Sequence, residues 1–315
     1  MKEMDKFYNE QQKNRFLDTI DKSKFPPYYW DRLFASYKKS EEECGKDLCN
    51  FTRQEIFNAH KEQNYRSFET LIIGHINLKN YTDWAIQQSL VDDGENHYDE
   101  FITEELFDCV NTLQLKQSII TRDLLERGIS KLDNPQDSFL LIGIFEGVKG
   151  KEFIDLTTIK MSDIDLDNKT VRLPSINTVI PVSNTFINWA IKANSQDKYY
   201  RRDGREYPLY GDNIIKLSGR YAEQNYMTGN KQSASTYRAI LRSLDEMGYG
   251  KTISCNSLYT SGIIDLINTI AKEHGVNAEK VLYDQELYNL VLLKYNLPAS
   301  SRRRFLIKFG DFLIK

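Results

Sequence analysis

Arginine side chains in one predicted helix of the second half of the chain have a spacing that suits phosphate binding. Arg238 and Arg242 are four residues apart within Ser233–Met247, so one face of this helix could offer both guanidinium groups to a single nucleic-acid strand. A guanidinium can donate parallel hydrogen bonds to two oxygens of one phosphate. The same helix is predicted to turn an apolar stripe to the core, formed by Tyr237, Ile240, Leu241 and Leu244.

A polar region just before this helix, residues 197–226, mixes basic side chains with tyrosines. Its basic residues are Lys198, Arg201, Arg202, Arg205, Lys216 and Arg220. Cations with aromatic rings between them suit a nucleic-acid surface, where rings stack on bases and cations neutralise phosphates. The same composition suits an ordinary exposed loop, and the sequence leaves both interpretations open. We predict Lys216 and Arg220 as the DNA contacts of this region.

No spacing in the chain is typical of a metal site. None of the four cysteines forms a Cys-x-x-Cys pair, and the histidines lie far from them in the sequence. The residues concerned are Cys44, Cys49, Cys109, Cys255, His60, His75, His97 and His274. We therefore expect no metal and no cofactor, and free thiols of the kind that cytosolic proteins keep.

The charge of the chain is unevenly distributed. The formal net charge is −3, but residues 1–110 contain 14 basic and 22 acidic side chains, a net charge of −8, and the remaining residues have a net charge of +5. Basic residues of the second part could therefore form one positive face. No apolar run approaches the roughly 18 residues of a membrane span, and the N-terminus is polar, so we expect a cytoplasmic protein.

Helix-start signals divide the first part of the chain. Pro27 predicts the first position of one helix, and Asn50 or Thr52 and then Ser67 predict the N-caps of the next two. Residues 112–118 are polar and lack capping residues, which predicts a linker. At 315 residues the chain is long enough for two domains with separate cores.

In the middle of the chain, a predicted helix is followed by a predicted β-hairpin. The apolar run Phe139–Phe145 predicts a buried helix, and Gly147 and Gly150 end it. Two β-type runs separated by a Pro-Ser pair then predict a hairpin, over Thr170–Leu173 and Thr178–Val182. Later helices are predicted over Leu258–Ile270 and Val281–Leu293. The predicted fold is therefore mainly α with a small β-hairpin (α+β).

This order of elements resembles the catalytic domain of the tyrosine recombinases, the phage integrase family. The family motif Gly-Leu-Arg-x-x-Glu-x-x-x-Leu precedes an Asp-Ile-Asp turn and a β-hairpin, and its counterparts here are Gly147-Val148-Lys149, Glu152, Leu156 and Asp163-Ile164-Asp165. The helices of the first part, one of which carries Tyr81-x-x-Trp84, resemble the core-binding domain of the same family. The resemblance implies a two-domain architecture, with a helical core-binding (SAM-like) DNA-binding domain at 1–111, a linker at 112–118 and a catalytic-like domain at 119–315.

The resemblance also implies where a recombinase active site would lie. The family uses a nucleophilic tyrosine, two arginines that clamp the phosphate, a lysine on the hairpin and late histidines. Here Lys149 stands at the first arginine, and Asn256 and Tyr259 stand at the His-x-x-Arg motif. Tyr295 lies close to the nucleophile position, and no lysine is present from Pro174 to Thr178. Loss of one transition-state donor costs about a hundredfold to a thousandfold in rate, so the resemblance implies a vestigial site and no enzyme activity.

By the same resemblance, the scaffold would still hold DNA. Its candidate contacts are Arg53, Lys61, Arg66 and Lys79 in the core-binding domain, and Lys149, Lys151, Asn256 and Tyr259 in the catalytic-like domain. Each of these side chains could donate a hydrogen bond to a phosphate oxygen. A basic residue of this kind is also often only a solvated surface charge.

A recombinase-like clamp without cleavage resembles the MrpR/YopR family, the master repressors of SPβ-type Bacillus phages. That resemblance implies a sequence-specific transcriptional repressor that binds double-stranded DNA at phage operators and maintains lysogeny. We expect it to be a monomer in solution, to act at the nucleoid of the host cell and to have no membrane partner. Two alternatives stay open, an active divergent tyrosine recombinase and a protein-interaction accessory factor, and so does a regulatory protein or peptide partner.

Overall fold

The structure is a computed structural model and describes residues 6–21, 27–65, 67–218, 230–298, 302, 305–306 and 309–313. The chain divides into two compact units, Met1–Leu115 (unit 1) and Lys116–Lys315 (unit 2). Among the described residues, no helix has both the length and the apolar character needed to cross a membrane.

Unit 1 is helical, and local capping signals explain where its helices begin. The first helices of the chain are α1 (Glu10–Leu17), α2 (Pro27–Cys44), α3 (Arg53–Glu62), α4 (Phe68–Gln87), α5 (Thr103–Phe107) and α6 (Thr112–Gln117). Helix α2 begins at Pro27, and the Ser67 side chain caps α4, as predicted. Thr52, one of the two predicted candidates, caps α3 in a reciprocal capping box with Glu55. The segment expected to be an uncapped linker, 112–118, contains α6.

Aromatic rings fill much of the core of unit 1. Phe16 lies at their centre, with its ring centroid 5.0 Å from that of Trp30 and 5.1 Å from that of Tyr81. Both pairs meet edge to face, the arrangement that the ring quadrupoles favour. The aromatic stripes of α2 and α4 therefore serve packing rather than ligand binding.

A chain of hydrogen bonds runs through the interior of unit 1. Nε2 of His75 lies 2.9 Å from the carbonyl oxygen of Tyr98, so this nitrogen carries the proton. Nδ1 of His75 then accepts from Nε2 of His60 at 3.0 Å, and Nδ1 of His60 accepts from the Tyr37 hydroxyl at 2.6 Å. The hydroxyl of Tyr65 completes the chain, 2.8 Å from that of Tyr37. Both rings are neutral in this arrangement, because burial lowers the pKa of His60 to about 3 and also lowers the pKa of His75.

Unit 2 is built around one helix that is buried on all sides. Its helices are α7 (Arg122–Ile129), α8 (Pro135–Phe145), α9 (Ile154–Thr158), α10 (Asn184–Ser195), α11 (Asn230–Glu246), α12 (Cys255–His274), α13 (Ala278–Tyr283) and α14 (Gln285–Tyr295). Every residue of α8 from Gln136 to Phe145 is buried, and α7, α10, α11 and α12 pack around it. The buried helix predicted for Phe139–Phe145 is therefore confirmed.

Two small antiparallel sheets lie in unit 2. The first contains the predicted hairpin and has the order β1 (Ile164–Asp165), β2 (Thr170–Leu173), β3 (Thr178–Pro181). The second, which the sequence did not predict, has the order β4 (Lys198–Tyr200), β5 (Glu206–Tyr210), β6 (Leu217–Ser218). Its strands are two to five residues long, too short to show an apolar alternation above the surrounding tyrosines and charges.

Two local predictions are wrong. The single helix expected over Val281–Leu293 is broken at Asp284, which has an extended backbone and caps α14 by accepting from the N–H groups of Glu286 and Leu287. Tyr237 was expected in the core, but its side chain is 44% exposed and Thr236 is buried instead. The apolar stripe of α11 is therefore rotated by one residue at its N-terminal end.

Candidate nucleic-acid interface

The turn that follows α8 places Lys149 at the surface, and glycine is required there. Gly147 has a φ of +88°, and a Cβ at this position would lie 2.9 Å from the carbonyl oxygen of Lys294 and 3.2 Å from the ring of Tyr295. Any other residue would meet both a strained backbone and a neighbouring chain. The end of α14 therefore packs directly against the turn that carries Lys149.

Lys149 lies between two rings and an amide. Its Nζ donates a hydrogen bond of 3.2 Å to Oδ1 of Asn256, in the first turn of α12. The same nitrogen is 5.5 Å from the ring centroid of Tyr259 and 5.8 Å from that of Phe153, within cation–π range of both. The structure thus brings together three of the predicted contacts, Lys149, Asn256 and Tyr259.

Further basic and aromatic residues continue this surface. The ring centroid of Phe153 is 6.5 Å from that of Tyr237 on α11, so the exposed side of α11 lies next to the Lys149 turn. Arg238, the next residue, is exposed and donates only to the carbonyl of Ala234 in its own helix, at 3.2 Å. Lys151 is exposed two residues after Lys149. We call the set Lys149, Lys151, Tyr237, Arg238 and Asn256 the Lys149 surface.

The cations of the Lys149 surface are not neutralised by ion pairs. Among the described residues, no carboxylate lies within salt-bridge distance of Lys149, Lys151 or Arg238. One exposed carboxylate, Glu152, occurs on the same segment. Glu152 and Phe153 both have positive φ angles, of 54° and 64°, which are uncommon for residues with side chains and occur preferentially at ligand sites.

Sequence reasoning missed the aromatic members of this region. The helical period predicts Tyr237 in the core, and no sequence pattern singles out Phe153. Each aromatic stands within four residues of a predicted cation, Lys149 or Arg238. That proximity is the signal that could have identified them.

Tyr295, at the predicted nucleophile position, is an interior residue. Its side chain is 2% exposed, and its hydroxyl donates a 2.6 Å hydrogen bond to the carbonyl oxygen of Phe145. Its ring meets that of Tyr259 edge to face at 5.1 Å, and the Tyr259 hydroxyl donates to the Tyr295 carbonyl oxygen. Burial, and then the neighbouring carboxylate of Glu146, raise the pKa of Tyr295 well above its ordinary value.

A buried ion-pair cluster lies beside Tyr295. The carboxylate of Glu146 is 2.6 Å from a guanidinium nitrogen of Arg122 and 2.8 Å from Nζ of Lys294. Arg122 also pairs with Asp265 on α12, at 2.9 Å. Burial alone would raise the pKa of Glu146, but Lys294 and Arg122 outweigh it and hold that pKa below its ordinary value. The cluster joins α7, α8, α12 and α14.

Helices α8 and α12 meet at a glycine. A Cβ at Gly262 would collide with the carbonyl oxygen of Phe145 and would lie 2.6 Å from the Tyr295 hydroxyl. The close approach of the two helices therefore leaves room only for glycine, and it encloses the hydrogen bond between Tyr295 and Phe145.

The hairpin turn is tied to the scaffold by a carboxylate. Asp155, which is buried, accepts 2.8 Å hydrogen bonds from both the N–H and the hydroxyl of Ser175. The hairpin lysine that the recombinase resemblance implies would lie in this turn. Here the turn contains Ser175 and no lysine.

Two predicted contacts of unit 2 make hydrogen bonds inside the protein. Lys216 donates from its Nζ to the carbonyl oxygens of Asn194 and Gln196, at the C-terminus of α10. Arg242 donates to the hydroxyl of Tyr199, which in turn donates to the buried carboxylate of Asp137 at 2.6 Å. Of the predicted pair on α11, Arg238 is exposed and, among the described residues, free of such partners, whereas the Arg242 side chain, 40% exposed, is tied to Tyr199. Another predicted contact, Arg220, lies outside the described residues.

The basic residues of unit 1 are mostly paired with acids. Arg53 pairs with Glu105, and Lys79 pairs with Asp99 at 2.7 Å. Lys61 is exposed, with its Nζ 4.5 Å from the ring centroid of Phe57. Arg66 lies outside the described residues.

Basic residues around the second sheet, two arginines and a lysine, are also paired with carboxylates. Arg202 lies 2.8 Å from Glu246, Arg205 pairs with Asp203, and Lys198 lies 2.9 Å from Glu206. Of the two interpretations of this region, these pairs favour the ordinary exposed surface, because Lys198, Arg202 and Arg205 each already have a carboxylate partner.

The described cysteines are free thiols, with Cys44 exposed and Cys49, Cys109 and Cys255 buried. Within the described part of the chain, no group of three or more His, Cys, Asp or Glu residues could hold a metal ion.

Three solved structures are similar to this chain over most of its length, at low sequence identity. A lambda integrase dimer bound to a COC′ core site has 12% sequence identity and a TM-score of 0.44, over 94% of this chain and 93% of that chain. The Tn1549 transposon integrase in complex with circular intermediate DNA has 14% identity and a TM-score of 0.44, over 93% and 97%. XerA recombinase has 10% identity and a TM-score of 0.35, over 95% and 98%. No curated protein matches the chain.

Two family descriptions match separate parts of the sequence. "MrpR, N-terminal core-binding domain" matches residues 7–87, and "MrpR, C-terminal catalytic domain" matches residues 119–308. They confirm the predicted two-domain, tyrosine-recombinase-like architecture. Because the matches together cover most of its length, the chain belongs to the MrpR family.

Proposed function

We propose that this protein is a sequence-specific DNA-binding repressor that holds phage operator DNA without cutting it. It would act in the cytoplasm of the host, as a monomer, and keep lytic genes silent so that lysogeny is maintained. Membership of the MrpR family supports this proposal, since the resemblance to that family implies a master repressor on a recombinase scaffold.

The observation that carries the proposal is a contrast between two neighbouring positions. Lys149 is half-buried on a surface whose other members are exposed, and no described carboxylate pairs with it, whereas the hydroxyl of Tyr295 is enclosed and donates to a backbone carbonyl. Lysine, arginine and amide groups are the donors that proteins use on DNA phosphates. The site thus has hydrogen-bond donors for a phosphate, while the Tyr295 hydroxyl, which would attack that phosphate, is hydrogen-bonded to the carbonyl of Phe145.

The chemistry of strand cleavage argues in the same direction. An attacking tyrosine must lose its proton near a phosphate whose charge is spread over clamping donors. Burial raises the pKa of Tyr295, so the phenolate is disfavoured. Lys149 offers a point charge in place of a planar fork, and Tyr259 offers no positive charge at all. We therefore propose that the protein is not an enzyme and that the catalytic-like domain, 119–315, is inactive.

The proposed division of the chain follows from the same resemblance. Residues 1–111 would form the core-binding, DNA-binding domain, 112–118 the linker and 119–315 the catalytic-like domain. The Lys149 surface of unit 2 would supply most of the phosphate binding. Of the predicted contacts described in unit 1, Lys61 would be available, because Arg53 and Lys79 are paired with carboxylates.

A gel shift with a salt titration tests this function. Promoter fragments from the prophage that encodes the protein should shift at low protein concentration, and mixed-sequence competitor should not displace them. Affinity should fall steeply as salt rises, because phosphate contacts release counterions. Absence of a shift on every promoter fragment would contradict the proposal.

A second candidate function is a protein-interaction accessory factor, and the charge of unit 1 favours it. Residues 1–110 have a net charge of −8, and Arg53 and Lys79, two of the predicted phosphate contacts, are paired with carboxylates. Such a surface suits a basic protein or peptide better than DNA. Co-purification of a protein partner together with an absent gel shift would favour this candidate.

A further inference from the structure

Two consecutive residues at the end of α14 contact three consecutive residues just before Lys149. Nζ of Lys294 pairs with Glu146 at 2.8 Å, and the Tyr295 hydroxyl donates to the Phe145 carbonyl at 2.6 Å. The backbone of Lys294 and the ring of Tyr295 also fill the space beside Gly147. The C-terminal end of α14 therefore packs against the residues at the start of the Lys149 turn.

Tyr259 connects the same two parts a second time. Its hydroxyl donates to the carbonyl oxygen of Tyr295, and its ring lies 5.5 Å from the ammonium of Lys149. A shift of α14 would therefore move both the turn and the ring on which the lysine rests.

The turn forms its own backbone hydrogen bonds through the N–H groups of Gly147, Val148 and Lys149, but the Lys149 side chain rests on residues of other segments. Gly147 and Gly150 both have positive φ angles and no side chain, so each adds conformational freedom to the segment on either side of Lys149. A flexible donor must be ordered when it binds a ligand, and that ordering weakens binding. Packing of α14 against the turn adds to these backbone hydrogen bonds and helps to keep Lys149 in one conformation before DNA binds.

We infer that Tyr295 and Lys294 are positioning residues, which hold the Lys149 turn in the conformation that contacts a DNA phosphate. The position that carries the nucleophile in tyrosine recombinases thereby gains a role in binding in place of a role in cleavage. This inference rests on the proposed function, because it requires that Lys149 contacts DNA.

A double-mutant cycle tests the coupling. Tyr295→Phe, Lys149→Ala and the combined variant are titrated with fluorescein-labelled promoter fragments of the prophage, with thermal unfolding followed for each. We expect Tyr295→Phe to weaken binding about threefold to tenfold, the range that one lost hydrogen bond can supply. In the Lys149→Ala background the same change should weaken binding less than twofold, since the residue on which Tyr295 acts is gone.

The control is Tyr288→Phe, a change of the same kind on the same helix. Tyr288 is 1% exposed and stands seven residues earlier, about 10 Å along α14. It should shift the unfolding temperature without changing the affinity for the duplex. Lys294 supplies a second variant should Tyr295→Phe fold poorly, since Lys294→Met should weaken binding and Lys294→Arg, which keeps a cation on Glu146, should restore most of it.

The outcomes separate the inference from the function on which it rests. Equal losses from Tyr295→Phe in both backgrounds, or no loss in either, would overturn the inference and leave DNA binding intact. An equal effect of Tyr288→Phe on affinity would also overturn it, because general destabilisation would then explain the result. A wild-type protein that binds no duplex would overturn the proposed function itself.

Discussion

The hydroxyl of Tyr295 and the carbonyl oxygen of Phe145 are 2.6 Å apart, inside a contact between helices that only glycine at position 262 permits. An attacking hydroxyl in this place would have to break that bond and leave the core. We therefore expect the wild-type protein, incubated with supercoiled plasmid that carries a prophage promoter, to give neither nicked product nor a covalent adduct. An adduct that disappears in Tyr295→Phe would show that the site is active.

Lys149→Ala should weaken DNA binding on every sequence by a similar factor, about threefold to tenfold, as the loss of one phosphate contact does. The slope of log affinity against log salt should become shallower by about one counterion. Lys192→Ala is the matched control, because Lys192 is also a lysine of unit 2 and is exposed beside the ring of Trp189. If both variants behave alike, Lys149 is only a surface charge.

Arg238 and Arg242 should behave differently although they are one helical turn apart. Arg238→Ala should weaken DNA binding with little change in stability, because the Arg238 side chain is exposed and bonds only to its own helix. Arg242→Ala should lower the free energy of unfolding by about 1–3 kcal/mol, since the Tyr199–Asp137 pair loses its cationic partner. Urea unfolding and DNA titration of both variants give the comparison, and a reversed pattern would refute this assignment.

Unit 1 should lose stability in acid through His60 and His75. Their pKa values are lowered on folding, His60 from 6.5 to about 3, so the unfolded chain binds protons that the folded chain does not. The stability from their neutral forms is complete above about pH 6.5 and is lost as pH falls toward the folded pKa. The unfolding free-energy gap between wild type and a His60→Leu/His75→Leu variant should shrink below pH 6.5 by up to about 1.4 kcal/mol per pH unit for each histidine.

Other groups that titrate in that range are present in both proteins of this comparison. Glu41, whose pKa burial raises to about 8, and Asp137, whose pKa burial raises to about 6, contribute equally to wild type and variant. Their effects cancel in the difference. A gap that stays constant from pH 7 to pH 5 (chosen to span the ordinary histidine pKa) would contradict the neutral hydrogen-bonded pair.

Features that depend on adjacent residues could be predicted from the sequence. Pro27, Thr52, Ser67 and Thr121 each begin or cap a helix, because an N-cap acts within three residues of itself. The hairpin of β2 and β3 follows from two β-branched runs around a turn. The order of these elements then indicated the recombinase-like fold.

Features that depend on distant residues could not be predicted in this way. Arg242 and Tyr199 are far apart in sequence, and nothing local indicates that the arginine bonds to this tyrosine. The same holds for Lys216 at the end of α10 and for Tyr295 against Phe145, 150 residues apart. Residue type predicted Lys216 and Arg242 as DNA contacts and Tyr295 as the nucleophile position, but tertiary packing determines what each side chain contacts.

The glycine at position 262 bears on whether cutting could be regained by a few substitutions. Arginines at positions 149 and 259 and a lysine on the hairpin would restore charges, yet the hydroxyl of Tyr295 would still be enclosed between α8 and α12. To reach a phosphate, the end of α14 would have to move out and leave a void beside a residue that has no side chain to fill it. On the proposed function, strand cleavage would therefore require a repacked interior as well as a rebuilt active site.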